Sequence, residues 1–217
     1  MENNKKTKKK KNKKLRRILL FLFIIVVAVI LVVFALNTSK NNNEESNKKV
    51  VDEIKKFSYT VSETDTKLFK DKFKELKEEL SKKKVDNEKY AKLISELFVI
   101  DFYTLDNKVT KNDVGGVQFI YESYKSDFVD YARDGIYKQV ISNIYNERTE
   151  KLPEVSKVSV ESINEIDASS VLETKLDSSD AYEVKMTWEY KNNDDFQTEA
   201  TIIVVTDGDK LSVAKLD

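Results

Sequence analysis

Hydrophobic and polar positions divide the chain into four stretches with different periodicity. An unbroken apolar run covers 18–36, and 37–49 contains no apolar residue. Apolar residues then recur every three or four positions through much of 68–145, and they alternate with polar residues beyond Pro153. These periods are typical of a membrane span, a linker, amphipathic helices and half-buried strands, respectively. The pattern therefore predicts an anchored protein with an α+β domain.

The run from Ile18 to Leu36 has the length and composition of a transmembrane helix. None of its nineteen residues is charged or polar, and seventeen are Ile, Leu, Phe or Val. A helix of this length spans about 29 Å, close to the ~30 Å hydrocarbon core of a bilayer. A cleaved signal peptide is the alternative, but its apolar region is usually only ~7–15 residues long and ends in small residues. Because Val33 to Asn37 contains no such cleavage site, we expect an uncleaved signal anchor.

The residues before this run are strongly basic. Ten Lys and Arg stand against one Glu in 1–17, a charge of about +9, although the whole chain has net charge +0. Positive charge beside a span is retained in the cytoplasm. We therefore expect a single-pass protein of the cell membrane, divided into a basic cytoplasmic tail at 1–17, a transmembrane helix at 18–36, a flexible tether at 37–49 and an extracytoplasmic domain at 50–217. The tail has no aromatic residue on which a base could stack, so nucleic acid is not an expected partner.

Helical periodicity predicts four helices in the first half of the domain. They are expected at 68–80, 87–105, 119–135 and 136–145. The inward stripe of the fourth is expected to be Ile136, Val140, Ile141 and Ile144. Ser62, Thr64 and Thr66 are candidate N-caps of the first helix. Gly135 is expected to end the third helix, because glycine adopts the left-handed conformation without steric cost.

Alternating residues predict strands beyond Pro153. They are expected at 155–166, 182–190, 200–205 and 211–216. The alternation breaks between Val160 and Ile163, which indicates a β-bulge in the first of these strands. Asp207-Gly208 predicts a hairpin between the last two, and Asn192 to Asp195 predicts a turn.

Helices followed by a meander of strands predict an α+β fold, with the helices packed on one face of a curved antiparallel sheet. The order of elements, together with the anchor and tether, resembles the cone-shaped nuclear-transport-factor-two-like fold of bitopic assembly subunits in bacterial type IV secretion and conjugation machines. The resemblance covers 50–217. It implies a noncatalytic assembly or adaptor protein of the cell envelope that self-associates as a homo-oligomer or bridges other subunits. The expected partners are the membrane and proteins of the envelope.

The residue composition removes the commonest catalytic groups. The chain has no His and no Cys, which excludes Ser-His and Cys-His nucleophiles and ordinary zinc sites. We expect no enzymatic activity, no cofactor and no bound metal. A carboxylate-dependent cell-wall hydrolase and a small-molecule binding or sensor domain with a pocket in the cone are the alternatives. Asp101 is the acid whose apolar neighbours predict burial and a raised pKa. A polar residue on the solvated side of a helix, or a carboxylate satisfied by a neighbouring group, is the simpler interpretation.

The stretch from Phe98 to Tyr124 concentrates aromatic residues around a polar loop with paired glycines. It is either a helix–helix corner that contributes aromatic side chains to the core or a recognition loop on a tight backbone path. In the second interpretation Lys108 and Lys111 are exposed, so that reversing their charge impairs association without changing stability. The residues of this candidate contact loop are Asp106, Asn107, Lys108, Lys111, Asn112, Asp113, Gly115 and Gly116.

Overall fold

The computed structural model describes residues 48–170, 180–191 and 195–217. Within the chain, Ser46–Asp217 forms one compact unit. The predicted tail, transmembrane helix and most of the tether lie outside the described residues, as does most of the turn predicted at 192–195. Over the ranges that are described, no helix combines the length and apolar character needed to cross a bilayer.

Three α-helices lie in the first half of the domain. They are α1 at Lys67–Leu80, α2 at Asn87–Tyr103 and α3 at Lys125–Asp134. The Thr66 and Asp86 side chains cap α1 and α2, because each accepts a hydrogen bond from the backbone N–H three residues later. The first two predicted helices are therefore confirmed, with Thr66 as the N-cap of α1.

The third and fourth predicted helices are shorter than expected. The third begins only at Lys125, after two 3-10 turns at Val117–Phe119 and Glu122–Tyr124. It ends at the predicted Gly135, whose N–H donates to the carbonyl oxygen of Tyr131 at 2.8 Å. The left-handed conformation expected of this glycine is wrong, because Gly135 has φ −99°.

The fourth prediction is wrong, since only a 3-10 turn forms, at Ile136–Gln139. Ile141 and Ile144, expected to face inward, are exposed. The physical reason is a hydrogen bond to a distant segment. The N–H of Asn143 donates to the carbonyl oxygen of Val109 at 2.7 Å, so it is not available for a helical hydrogen bond to a residue of the preceding turn.

Among the described residues of the second half of the domain, four strands form an antiparallel meander. They are β3 at Val155–Asp167, β4 at Asp180–Tyr190, β5 at Glu199–Asp207 and β6 at Lys210–Leu216, in the sheet order β3-β4-β5-β6. The pairing of β3 with β4 shifts between Val160 and Ser162, which confirms the predicted bulge. Gly208 adopts φ 63° in the turn that joins β5 to β6. The predicted α+β fold is confirmed, with α2 lying against all four strands of the curved sheet.

A two-stranded hairpin before the helices was not predicted. Its strands, β1 at Val50–Ile54 and β2 at Tyr59–Ser62, pair with each other and not with the larger sheet. The buried Tyr59 hydroxyl lies 3.0 Å from the Tyr90 hydroxyl and donates to the carbonyl oxygen of Leu211 at 3.0 Å. This side chain therefore joins the hairpin to both α2 and β6.

The core is built around α2, which is buried on most of its surface. The sheet covers one side of the helix and α1 covers another. Two polar residues of α2 are also buried. The Ser95 hydroxyl donates to the carbonyl oxygen of Ala91 at 2.9 Å, and the Glu96 carboxylate lies 3.1 Å from the ammonium group of Lys72. A helix buried in this way gives the loop that follows it a rigid base.

Candidate functional site

The contact loop, residues 106–116, follows the end of α2 after Thr104 and Leu105. The N–H groups of Leu105 and Asp106 donate to the carbonyl oxygen of Pro153 at 2.8 and 3.2 Å. The Thr104 hydroxyl accepts a hydrogen bond from the N–H of Val155 at 3.2 Å. These contacts attach the start of the loop to the segment that leads into β3.

Lys108 is buried beneath this loop and is not an exposed contact residue. Its side chain is 1% exposed, and its ammonium group lies 2.6 Å from Oδ1 of Asp101, whose side chain is 17% exposed. The second carboxylate oxygen of Asp101 accepts a hydrogen bond from the N–H of Gly116 at 2.7 Å. The prediction that Lys108 is exposed is therefore wrong. A lysine in a polar loop was expected to be solvated, but here Asp101, in the last turn of α2, provides its counter-charge.

The simpler interpretation of Asp101, a carboxylate satisfied by neighbouring groups, is confirmed, and the alternative of a raised pKa is wrong. Burial alone raises the pKa of this carboxyl, but the charge and hydrogen bond of Lys108 and the N–H of Gly116 outweigh burial, so the pKa lies below its ordinary value. Burial likewise lowers the pKa of Lys108, and the Asp101 charge more than reverses that effect. Both groups are thus ionised near neutral pH. An ionised carboxylate has no proton to donate, so this geometry does not support Asp101 as the general acid of a hydrolase.

The two glycines of the loop pass close to the end of α2. A Cβ atom on Gly115 would lie 2.2 Å from the carbonyl oxygen of Asp101, and Gly116 adopts φ +79°. The N–H of Gly115 donates to the Tyr137 hydroxyl at 2.8 Å, and that hydroxyl donates to the carbonyl oxygen of Phe102 at 2.8 Å. The tight backbone path expected from Gly115-Gly116 is confirmed.

A second segment, residues 140–152, lies beside the contact loop and is named here the companion loop. The guanidinium of Arg148, a side chain only 4% exposed, connects the two loops. It donates to the carbonyl oxygens of Asp106 at 2.5 Å, Lys108 at 3.1 Å and Ile141 at 3.3 Å. In the sequence Arg148 is one charged residue among several between Asn146 and Lys151, so no local signal distinguishes it as buried.

Only part of the predicted contact surface reaches solvent. Lys111 and Asn112 are exposed at the tip of the loop, Asp106, Asn107 and Asp113 are half-buried, and Gly115 and Gly116 are buried with Lys108. The Asp113 carboxylate is also engaged. One oxygen lies 2.8 Å from the ammonium group of Lys48, and the other accepts a hydrogen bond from the N–H of Val109 at 3.1 Å.

Other buried acids do not gather into a cation site. Burial raises the pKa of Asp65, which lies before α1, and of Glu96, which faces Lys72 on α2. In the ranges 48–170, 180–191 and 195–217, no three acidic residues are placed so that they could hold a metal ion.

No family model, curated protein or solved structure matches the chain. The resemblance to the nuclear-transport-factor-two-like fold stays a prediction, and a fold by itself does not define a function.

Proposed function

We propose that this protein is a membrane-anchored, extracytoplasmic assembly or adaptor protein, active through protein–protein contacts in a conjugation or secretion complex. The apolar run at 18–36 and the basic tail at 1–17 support the anchor. The compact unit that starts at Ser46, directly after most of the polar tether, supports an independent domain outside the membrane.

The observation that carries the proposal is the rigid presentation of Lys111 and Asn112. Both are exposed, whereas the loop beneath them is held by the Asp101–Lys108 ion pair and by Arg148. A preordered loop loses little conformational entropy when it binds, so more of the contact energy appears as affinity. Loops on a rigid scaffold are frequent binding sites for this reason.

Confinement to a membrane makes a small contact sufficient. Two anchored domains search a surface instead of a volume, and their effective concentration rises accordingly. Self-association, or binding to other envelope proteins, therefore does not require a large apolar interface in the isolated domain.

Cross-linking of the full chain in membranes tests the assembly role. Lys111→Glu is expected to reduce cross-linked oligomers or partner adducts severalfold, because it reverses the charge at the loop tip. Lys83→Glu, at another exposed lysine in the α1–α2 connection, is the matched control and should leave cross-linking unchanged. Both variants should keep their unfolding free energy within about 0.5 kcal/mol. Equal cross-linking of the two variants would remove the loop from the proposal.

Protease accessibility tests the anchor separately. Protease added to intact protoplasts should digest the chain beyond about Asn37 and spare the tail, because the basic residues of 1–17 stay in the cytoplasm. Protection of the C-terminal domain would contradict this orientation. Full function of a freely secreted domain would contradict the need for an anchor.

A further inference from the structure

Two large apolar side chains occupy the corner of a turn in the companion loop. The N–H of Asn146 donates to the carbonyl oxygen of Asn143 at 3.1 Å, which places Ile144 and Tyr145 at the two central positions. Ile144 is 62% exposed and Tyr145 is 81% exposed, and the preceding Ile141 is 57% exposed. Turn corners normally carry Gly, Pro, Asn, Asp or Ser. Formation of the turn therefore does not account for an exposed Ile and Tyr at these positions.

The turn is held in place by its hydrogen bonds. The Asn143 side-chain oxygen accepts a hydrogen bond from the N–H of Arg148 at 2.9 Å, and the Arg148 guanidinium donates to the carbonyl oxygen of Ile141 at 3.3 Å. The N–H of Asn143 donates to the carbonyl oxygen of Val109 at 2.7 Å. These hydrogen bonds hold the backbone that carries the three exposed apolar side chains. Because this backbone is already ordered, inserting the side chains into an apolar medium costs less conformational entropy.

A chain of polar contacts connects this turn to Lys48, where the predicted tether enters the domain. Lys48, the first described residue, pairs with Asp113, and Asp113 accepts the N–H of Val109. The carbonyl oxygen of Val109 then accepts the N–H of Asn143, at the base of the turn. The turn and the tether entry are therefore on the same part of the domain.

The tether is short. Leu36 and Lys48 are twelve positions apart in the sequence. A chain of about twelve residues reaches at most about 42 Å, and a random coil of that length has a root-mean-square end-to-end distance of ~20 Å. A part of the domain attached through Lys48 is thus held close to the membrane in which 18–36 would be anchored.

We propose that Ile141, Ile144 and Tyr145 insert into the interfacial region of the lipid bilayer and orient the domain on the membrane. The inference rests on the proposed anchor. Tyrosine is enriched at membrane interfaces, where its ring enters the apolar side and its hydroxyl stays hydrated. Glu147, Glu150 and Lys151 beside the turn are of mixed sign, so the contact is apolar and does not require anionic lipid.

Because the chain has no Cys, a single introduced cysteine can carry an environment-sensitive fluorophore. The probe is placed by Tyr145→Cys in the full chain, reconstituted in phosphatidylcholine vesicles that contain a nitroxide-labelled lipid. Asp209→Cys is the matched control. Asp209 is exposed in the β5–β6 turn, at the end of the sheet opposite Val155, where the contact loop is attached. Ala28→Cys reports on the anchor itself.

The expected result is blue-shifted emission at position 145 and quenching by the lipid nitroxide at least twofold stronger than at position 209. Ile141→Ser with Ile144→Ser should reduce the quenching at 145 without unfolding the domain, because both side chains are exposed. Quenching at 145 no stronger than at 209 would overturn the inference. A blue shift at 145 without quenching by the lipid nitroxide would also overturn it, because it would show that Tyr145 contacts protein and not lipid. If the probe at 28 is also unquenched, the proposed anchor fails; quenching at 28 without quenching at 145 overturns the lipid contact alone.

Discussion

Lys108 and Lys111 are three residues apart in one polar loop, and they have different roles. Lys108 is 1% exposed and pairs with Asp101, whereas Lys111 is exposed at the loop tip. Removing one member of a buried ion pair is costly, because the other charge keeps its desolvation penalty and loses its compensation. The two lysines are therefore a matched pair for testing what holds the contact loop.

We predict that Lys108→Met lowers the unfolding free energy by about 3 kcal/mol, since it leaves the Asp101 carboxylate without its counter-charge. Lys111→Met should change that free energy by no more than about 0.5 kcal/mol. Chemical denaturation of the two variants and the wild type measures both values. Similar stability of the two variants would contradict the structural role assigned to Lys108.

At the scale of elements, Glu79 stabilises the connection between α1 and α2 through polar contacts. Its carboxylate accepts hydrogen bonds from the Lys82 ammonium at 2.6 Å and the N–H of Asp86 at 3.2 Å, and it lies 3.0 Å from the Lys89 ammonium. The hydrogen bonds from Lys82 and Lys89 lower the pKa of Glu79 from 4.5 to about 2. A carboxyl whose pKa is lower in the folded state stabilises the fold when ionised.

The stabilisation from Glu79 should be fully present above pH 4.5 and lost as the pH falls towards 2. We predict that Glu79→Gln lowers the thermal midpoint at neutral pH and shows a smaller further loss across this acid range than the wild type does. Glu78→Gln, at the exposed neighbouring position, should follow the wild-type curve. Thermal unfolding at several pH values provides the comparison. Parallel curves for wild type and Glu79→Gln would show that this carboxylate does not contribute to acid sensitivity.

At the scale of the whole molecule, the compact unit begins at Ser46, and the tether contributes contacts to it. Lys48 pairs with Asp113, and the carbonyl oxygen of Lys49 accepts the N–H of Glu63 at 2.9 Å. The domain boundary expected at Val50 therefore leaves out two residues that bind to the domain.

We predict that the fragments 46–217 and 50–217 both unfold cooperatively, with the shorter one less stable by about 1 kcal/mol because it lacks these contacts. Lys48→Met in the longer fragment removes the ion pair with Asp113 and keeps the hydrogen bond to the carbonyl oxygen of Lys49, so it distinguishes the two contributions to stability. Denaturant unfolding of the three proteins measures the differences. A molten 46–217 fragment would mean that the fold needs the residues before Ser46.

The long elements could be predicted from the sequence by itself because their signals are local. The cap at Thr66, the helical stripe of α1, the alternation in β4 and the Asp207-Gly208 turn each depend on residues within a few positions of one another. The tertiary structure alone decided the rest. Tyr59 joins the β1–β2 hairpin to Leu211, 152 residues away, and Arg148 reaches Lys108, 40 residues away. Burial of Lys108 and loss of the fourth helix follow from such distant partners, because a polar group takes whichever counter-charge or hydrogen-bond partner the fold brings to it.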